Sequence, residues 1–458
     1  MFKKVTQSIV NQMDPKGDLL PVHSILDHEH FRPLCLVRRK RKAVFQPSPS
    51  YRQTWYRLED VLLPREDAHS TESLVLHGGG DDSRQFTLKK SISDRVDGSL
   101  SLSFDSTSIE LTGAASLSKG WVIKLEKKHI PVPKLQALKA ERKINMNHSF
   151  IQQLQKTDQN LYIVHETIEA SEETSYEEST TAQGSFMTQL YAKFCAKGTR
   201  ENTTSITIPK GCTLAFRVIQ LAIKEGSWDL DYFSQKSRST FVSDGLLVMK
   251  SCIIHPQRKL KELEVEVKEN CQVLSKLSSA LLGIFLKAIK AVMRNRNLFQ
   301  ELTHKMEAVL DETDSCKLET KSPDFKDLLS SLQHTPRHLL LQLAGAVTYT
   351  LDALDELTED QLLLLLESLE NKIVSQQLKL VESILDQDIE ERKGCFHVDA
   401  SLLSFPREKE GKLTIAMVEM SGVTLQKDGS AVCTGEAFSA VAALYVSLYV
   451  LDLLSDSE

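Results

Sequence analysis

Hydrophobic and polar positions change rhythm along this chain. At residues 2 to 13, Phe2, Val5, Ile9 and Met13 recur at the spacing of one helical face. Lys3 and Lys4 lie beside that stripe and Asp14-Pro15-Lys16-Gly17 ends it, which predicts a short amphipathic helix. Such a helix suits either its own domain's core or a lipid surface. From Phe31 to about Ile223 the pattern shortens to β-rich runs broken by Gly, Pro, Asp and Ser, among them LCLVRRKRKAVF, TWYRLEDVL, WVIKLE, NLYIVHETIEA and SITIPKGCTLAFRVIQL. These predict an antiparallel sheet. Two stretches within it, Arg84 to Ile130 and Asn160 to Pro209, are long for hairpins and carry alternating apolar positions such as Leu100, Leu102 and Phe104. A lipid-facing amphipathic strand gives that alternation, and so does an ordinary half-solvated sheet.

Regularity lapses between Ile223 and about Lys259, as expected of a linker between domains. From Leu260 onward nearly every segment has helical periodicity with enough apolar positions for a bundle. The closing run, Phe438 to Leu454, is almost wholly apolar, but Asp452 interrupts it short of the ~20 residues a spanning helix needs. It reads as a buried helix. The expected class is therefore α+β: an N-terminal twisted antiparallel β-sheet domain with flanking helices over 1–225, a protease-sensitive linker over 226–259, and a C-terminal all-α helical bundle over 260–458.

Charge adds an asymmetry to this picture. The 458 residues carry a net charge of -6, yet residues 1 to 244 hold 33 Lys and Arg against 29 Asp and Glu, and the remainder holds 23 against 33. Opposite signs favour association of the two halves, and a freed basic half would be drawn to anionic surfaces. The eight cysteines are scattered, without a CxxC pair or the density of a secreted disulfide framework, so free thiols in a reducing cytoplasm are expected. The N-terminus lacks the apolar core of a signal peptide.

Motifs for catalysis are missing from the sequence. Gly78-Gly79-Gly80 runs into Asp81-Asp82 and lacks the Lys and Ser/Thr of a phosphate loop. His23, His28 and His30 lie near Asp27 and Glu29 without HExxH spacing, so they read as surface histidines and not as metal ligands. No GxSxG elbow occurs. The expectation is a protein that is not an enzyme and needs no metal or cofactor. The sharpest electrostatic feature is Arg38-Arg39-Lys40-Arg41-Lys42, followed by Val44-Phe45. Five cations beside apolar residues fit anionic head groups, nuclear import, nucleic acid or a merely solvated loop.

Longer stretches narrow these alternatives. DPKGDLLPVHSILDHEHFRPLCLVRRKRK (Asp14 to Lys42), QNLYIVHETIEA (Gln159 to Ala170) and ITIPKGCTLAFRVIQL (Ile206 to Leu221) resemble the N-terminal domain of the gasdermin family. YTLDALDELTEDQ (Tyr349 to Gln361) and QLKLVES (Gln377 to Ser383) resemble its C-terminal repressor domain. The resemblance implies an autoinhibited pore former with no nucleic-acid partner. Its N-terminal fragment would bind acidic phospholipids, oligomerise and refold Arg84 to Ile130 and Asn160 to Pro209 into membrane hairpins. The implied lipid contacts are Lys3, Lys4, Arg38, Arg39, Lys40, Arg41 and Lys42, with Phe45 as an apolar tip. Before cleavage the chain's own C-terminal domain would cover these surfaces, with Tyr349 and Ala353 in the packing that holds it. Cys195 matches a hairpin-tip cysteine open to palmitoylation.

The linker holds the expected trigger. Phe241-Val242-Ser243-Asp244 before Gly245 looks like an inflammatory caspase site, with a second motif at Asp311-Glu312-Thr313-Asp314. The intact protein is expected in the cytoplasm and the fragment at the cell membrane, with a non-lytic lipid-binding adaptor as the rival reading.

Overall fold

The computed structural model describes residues 2–15, 17–40, 42–64, 85–91, 101–103, 120–157, 159–179, 189–190, 193–194, 203–231, 240, 257–311, 318–387, 389, 395–426, 428–433 and 437–455. The chain divides into two compact units. The first comprises Met1–Lys42, Ser48–Thr181 and Arg200–Met249, and the second Lys250–Glu458 together with two excursions from the N-terminal half, Ala43–Pro47 and Ala182–Thr199.

The first unit opens with α1 (Phe2–Met13), followed by β1 (Leu20–Pro21), a short 3-10 helix (Ile25–Phe31), β2 (Cys35–Arg39) and β3 (Tyr51–Arg57). β4 (Gln85–Ser91), β5 (Ser101–Ser103) and β6 (Gly120–His129) lead to α2 (Val132–Glu141) and α3 (Ser149–Thr157). Then come β7 (Leu161–Ala170), β8 (Thr174–Ser179), β9 (Thr203–Ile208), β10 (Thr213–Lys224) and β11 (Ser227–Asp231). The main sheet runs β1-β10-β7-β6-β4-β5, with β11 on β10, and every pairing is antiparallel.

β7 is its axis. One edge pairs with β10, while the other is shared: Leu161 to Ile163 pair with β2, and Glu166 to Ala170 pair with β6. Its alternate side chains feed two cores, because successive strand residues face opposite sides. Tyr162, Val164 and Ile168 join α1 and Phe31 of the 3-10 helix on one face, and Leu161 and Ile163 join Leu135, Leu138, Ile151 and Leu154 of α2 and α3 on the other. Burial on both faces explains the unbroken apolar run Leu161 to Val164 at the start of the strand. The amphipathic stripe of α1 thus packs on its own domain, with Ile9 fully buried. Asp14, at the end of α1, pairs with Arg217 of β10, whose guanidinium also reaches Glu166 of β7 at 2.6 Å. A two-residue turn, Glu225-Gly226, joins β10 to β11 with both φ angles positive, as such hairpins require.

The second unit holds α4 (Gln257–Cys271), α5 (Ser279–Arg294), α6 (Arg296–Asp311), α7 (Lys326–Gln333), α8 (Arg337–Asp355), α9 (Glu359–Glu370) and α10 (Val374–Leu385). β12 (Cys395–His397), α11 (Glu408–Glu419), β13 (Val423–Leu425), β14 (Ser430–Cys433) and α12 (Ala437–Ser455) complete it. The three short strands form one small sheet in the order β12-β14-β13, in a region whose sequence pattern predicts mostly helix. α12 is long and apolar enough to cross a membrane, but most of its side chains lie in the core, packed with those of α5, α8 and α10. α9 begins with a capping box: Thr358 Oγ1 accepts from Gln361 N–H at 3.2 Å, and Gln361 Oε1 accepts from Thr358 N–H at 3.0 Å. Among the described cysteines, Cys35, Cys212 and Cys271 are free and buried, and burial pushes the Cys212 and Cys271 thiols up to about 12.

Candidate functional site

The loop between β2 and β3 makes the first half of the site. Gln46 closes a tight turn in both directions: its N–H donates to the Ala43 carbonyl at 3.1 Å, and its Oε1 accepts from Ala43 N–H at 3.1 Å. This turn presents Val44 and Phe45 to the helices of the second unit. Phe45 is fully buried, its ring edge-on to Tyr349 of α8 with centroids 5.4 Å apart. The Val44 N–H donates to both carboxylate oxygens of Glu266 on α4, at 3.0 and 3.2 Å. Tyr349 donates its hydroxyl to the same carboxylate at 3.0 Å. Burial first, and then the Glu266 charge, pushes the Tyr349 phenol far above its usual range, so it stays a protonated donor. Ala353, one turn along α8, is also fully buried.

The second half comes from the segment between β8 and β9, of which residues 189–190 and 193–194 are described. Leu190 and Phe194 are buried in the helical core. Lys193 reaches Glu367 of α9 at 2.5 Å and also pairs with Glu370. Glu367 is only 3% exposed and is shared with Lys409 of α11 at 2.9 Å. Desolvation alone would raise the Glu367 pKa, but the hydrogen bonds from Lys193 and Lys409 outweigh it and hold the carboxyl below its usual value. For Lys193, desolvation pulls downward and the bonds to Glu367 and Glu370 win, so its pKa is raised. Phe194 lies under two cations, Lys193 Nζ at 4.9 Å and the Arg294 guanidinium at 5.7 Å from the ring centre.

The structure brings Phe45, Tyr349 and Ala353 into one core. Lys3 is half-buried on α1; Lys4 is on the same helix, its side chain outside the described residues. Arg38 donates to Gln159 at 2.5 Å, and Arg39 and Lys42 are exposed. The Lys40 N–H donates to the Ser50 carbonyl at 2.9 Å. Arg41, Cys195, the Phe241 to Gly245 motif and Asp314 lie outside the described residues. His28 departs from the expected surface histidine: it is half-buried, and burial, then Arg32, lower its pKa. Among the described residues no group of three or more His, Cys, Asp or Glu is placed to hold a metal. Sequence reasoning missed Glu266, Lys193, Phe194, Glu367 and Lys409. The one available signal was Glu367 itself, a charge inside the apolar run LLLLLESLE.

Family models and individual relatives agree on what this chain resembles. Residues 1–243 match the gasdermin pore forming domain and residues 259–432 the gasdermin PUB domain. Gasdermin-A3 of Mus musculus is 33% identical over 475 residues, covering 99% of this chain and 97% of the relative. Gasdermin-A of Homo sapiens is 30% identical over 468 residues and all of both chains, and human Gasdermin-D is 27% identical over 99% of this chain and 98% of its own. A solved structure, the cryo-EM structure of the Gasdermin A3 membrane pore, covers 53% of this chain and 98% of that chain at 27% identity, with a TM-score of 0.36.

Proposed function

The chain belongs to the gasdermin family, and we propose that it is an autoinhibited pore former released by proteolysis in its linker. Cleavage after Asp244 by an inflammatory caspase separates the basic N-terminal fragment from the acidic helical domain, with Asp314 as a secondary cut. The freed fragment binds acidic phospholipids through Lys3, Lys4 and Arg38 to Lys42, oligomerises, and converts Arg84 to Ile130 and Asn160 to Pro209 into membrane hairpins. A lone hairpin in hydrocarbon would leave its edge N–H and C=O groups unpaired, so insertion demands a closed ring of copies. The result at the cell membrane is lytic, pyroptotic permeabilisation, the intact chain residing in the cytoplasm.

The observation that carries this reading is the burial of Phe45. Phe45, in the β2–β3 loop just past the basic run Arg38 to Lys42, belongs to the helical unit and packs against Tyr349. While it stays there, the loop cannot meet a membrane. Domain bounds at 225 and 259 and a lipidated Cys195 belong to the same proposal. The test is dye release from phosphatidylserine-containing and neutral vesicles by intact protein, caspase-treated protein and the Asp244→Ala variant. Release confined to cut protein on anionic vesicles supports the mechanism. Release by treated Asp244→Ala moves the trigger elsewhere, and none after verified cleavage favours a non-lytic adaptor.

A further inference from the structure

Trp55 is 72% exposed, more than any other large apolar side chain among the described residues. Its backbone has φ +65°, the left-handed region where Asn and Asp settle readily and a bulky side chain is an outlier. A strained residue that gains little burial within its own chain points to a partner outside it. The indole is held edge-on against His30, centroids 4.2 Å apart, and Leu26, on the same 3-10 helix as His30, is 67% exposed. That helix covers the α1 face of the sheet: Phe31 stacks on Phe216 at 4.5 Å, in the core that also takes Phe2, Val5 and Ile9. Three of the acids nearby are engaged, Asp27 accepting from Gln53 at 3.2 Å, Glu29 pairing with Arg32 at 3.3 Å and Asp60 accepting from the Arg57 N–H at 2.7 Å, while one buried oxygen of the Glu59 carboxylate has no hydrogen-bond partner among the described residues. The exposed Arg57 guanidinium donates to the Pro33 carbonyl in a long 3.4 Å bond.

Two isolated apolar side chains are far too little for a second protein, since a stable interface takes about 800 Å² from each partner and a buried Trp about 250 Å² at most. They suit the head-group region of a bilayer, where Trp concentrates and neighbouring cations meet anionic lipid. We propose that Trp55 and Leu26 form an interfacial membrane anchor on the α1 face, distinct from the β2–β3 loop. This rests on the lipid-binding reading above and adds a contact to it.

The test uses the full chain cut in its linker, with phosphatidylcholine–phosphatidylserine vesicles. Trp55→Asp, which suits the left-handed backbone, should leave the melting temperature of intact protein unchanged or raised while weakening vesicle binding roughly tenfold. Leu26→Ser should weaken it by a smaller factor. Emission of the parent should shift to the blue on binding more than that of Trp55→Phe. If the parent binds and Trp55→Asp binds equally well, the anchor is wrong and the lipid reading stands. A parent that binds no vesicle overturns both. Self-association without lipid that Trp55→Asp abolishes, with vesicle binding intact, assigns the patch to a second copy and overturns the anchor.

Discussion

Two segments of the N-terminal half are held among the C-terminal helices, and they are held by different physics. Phe45 is an aromatic plug, fully buried, with Glu266 fixing the backbone beside it and the Tyr349 hydroxyl behind. Lys193 is an ionic clasp whose side chain stays 43% exposed while its partner Glu367 is enclosed. Burial of apolar area is not screened by salt, whereas an ion pair open to water is. On the proposed mechanism the plug should therefore set how firmly the uncut chain is silenced, and the clasp how that silence responds to conditions.

The largest effect is expected at the plug. Phe45→Ala removes a fully buried ring, a change of about 3–5 kcal/mol where the cavity does not collapse. Vesicle leakage by the uncut variant and fast amide exchange at Ala43 to Gln46 would show it; Tyr349→Asp, which also strands a charge beside Glu266, should do the same. If the uncut Phe45→Ala chain stays silent, the plug does not govern inhibition.

Glu266→Ala comes next. It removes the acceptor for the Val44 N–H and the Tyr349 hydroxyl, and each hydrogen bond to a charged group contributes about 1.5–3 kcal/mol. Exchange at Val44 reads this loss directly.

Glu367→Gln should matter less, by about 1 kcal/mol or under, because Lys193 and Lys409 can return to water. Its signature is selective: residues 189–194 should exchange faster while Val44 and Phe45 do not. Raising salt from 0.1 to 0.5 M should mimic it in the parent, as the screening length shortens from about 10 Å.

The smallest effects are those of mild acid, and they separate the regions again. The Glu367 carboxyl is held below its usual value, so the clasp's contribution is complete above the ordinary Glu range and fades only as pH falls through that lowered value. Between pH 7 and 5.5 the clasp should not change. His165 of β7 behaves oppositely. Desolvation lowers its pKa, so the unfolded chain binds the proton more tightly and the sheet unit loses stability as pH falls below about 6.5. Melting at pH 7 and 5.5, with exchange at residues 189–194 followed in parallel, tests both signs.

The parts legible in the sequence are those governed by periodicity. The stripe Phe2, Val5, Ile9 located α1, though only the structure shows it turned to its own sheet. Alternation could not show that β7 shares one edge between β2 and β6, because register depends on which distant strands arrive. Phe45 and Tyr349 were named through resemblance. Glu266, Lys193 and Lys409 were invisible, since a Lys or Glu in the chain is written the same whether its partner is water or a buried ion. Nor does TWYRLEDVL disclose that Trp55 sits in the left-handed region, where tertiary pairing has forced a bulge between β2 and β3.

The plug and the clasp both belong to segments far from the linker, and cutting the linker breaks neither of them. A cut molecule is therefore first a two-chain complex with a residence time of its own. In one chain the linker holds the two parts at an effective concentration on the order of millimolar; once cut, they re-meet only at the concentration in solution. On the proposed mechanism, dilution of the cut protein should then activate it. A cell that cuts few molecules could hold them armed, and the lag between scission and leakage would measure the departure of Phe45 from its pocket.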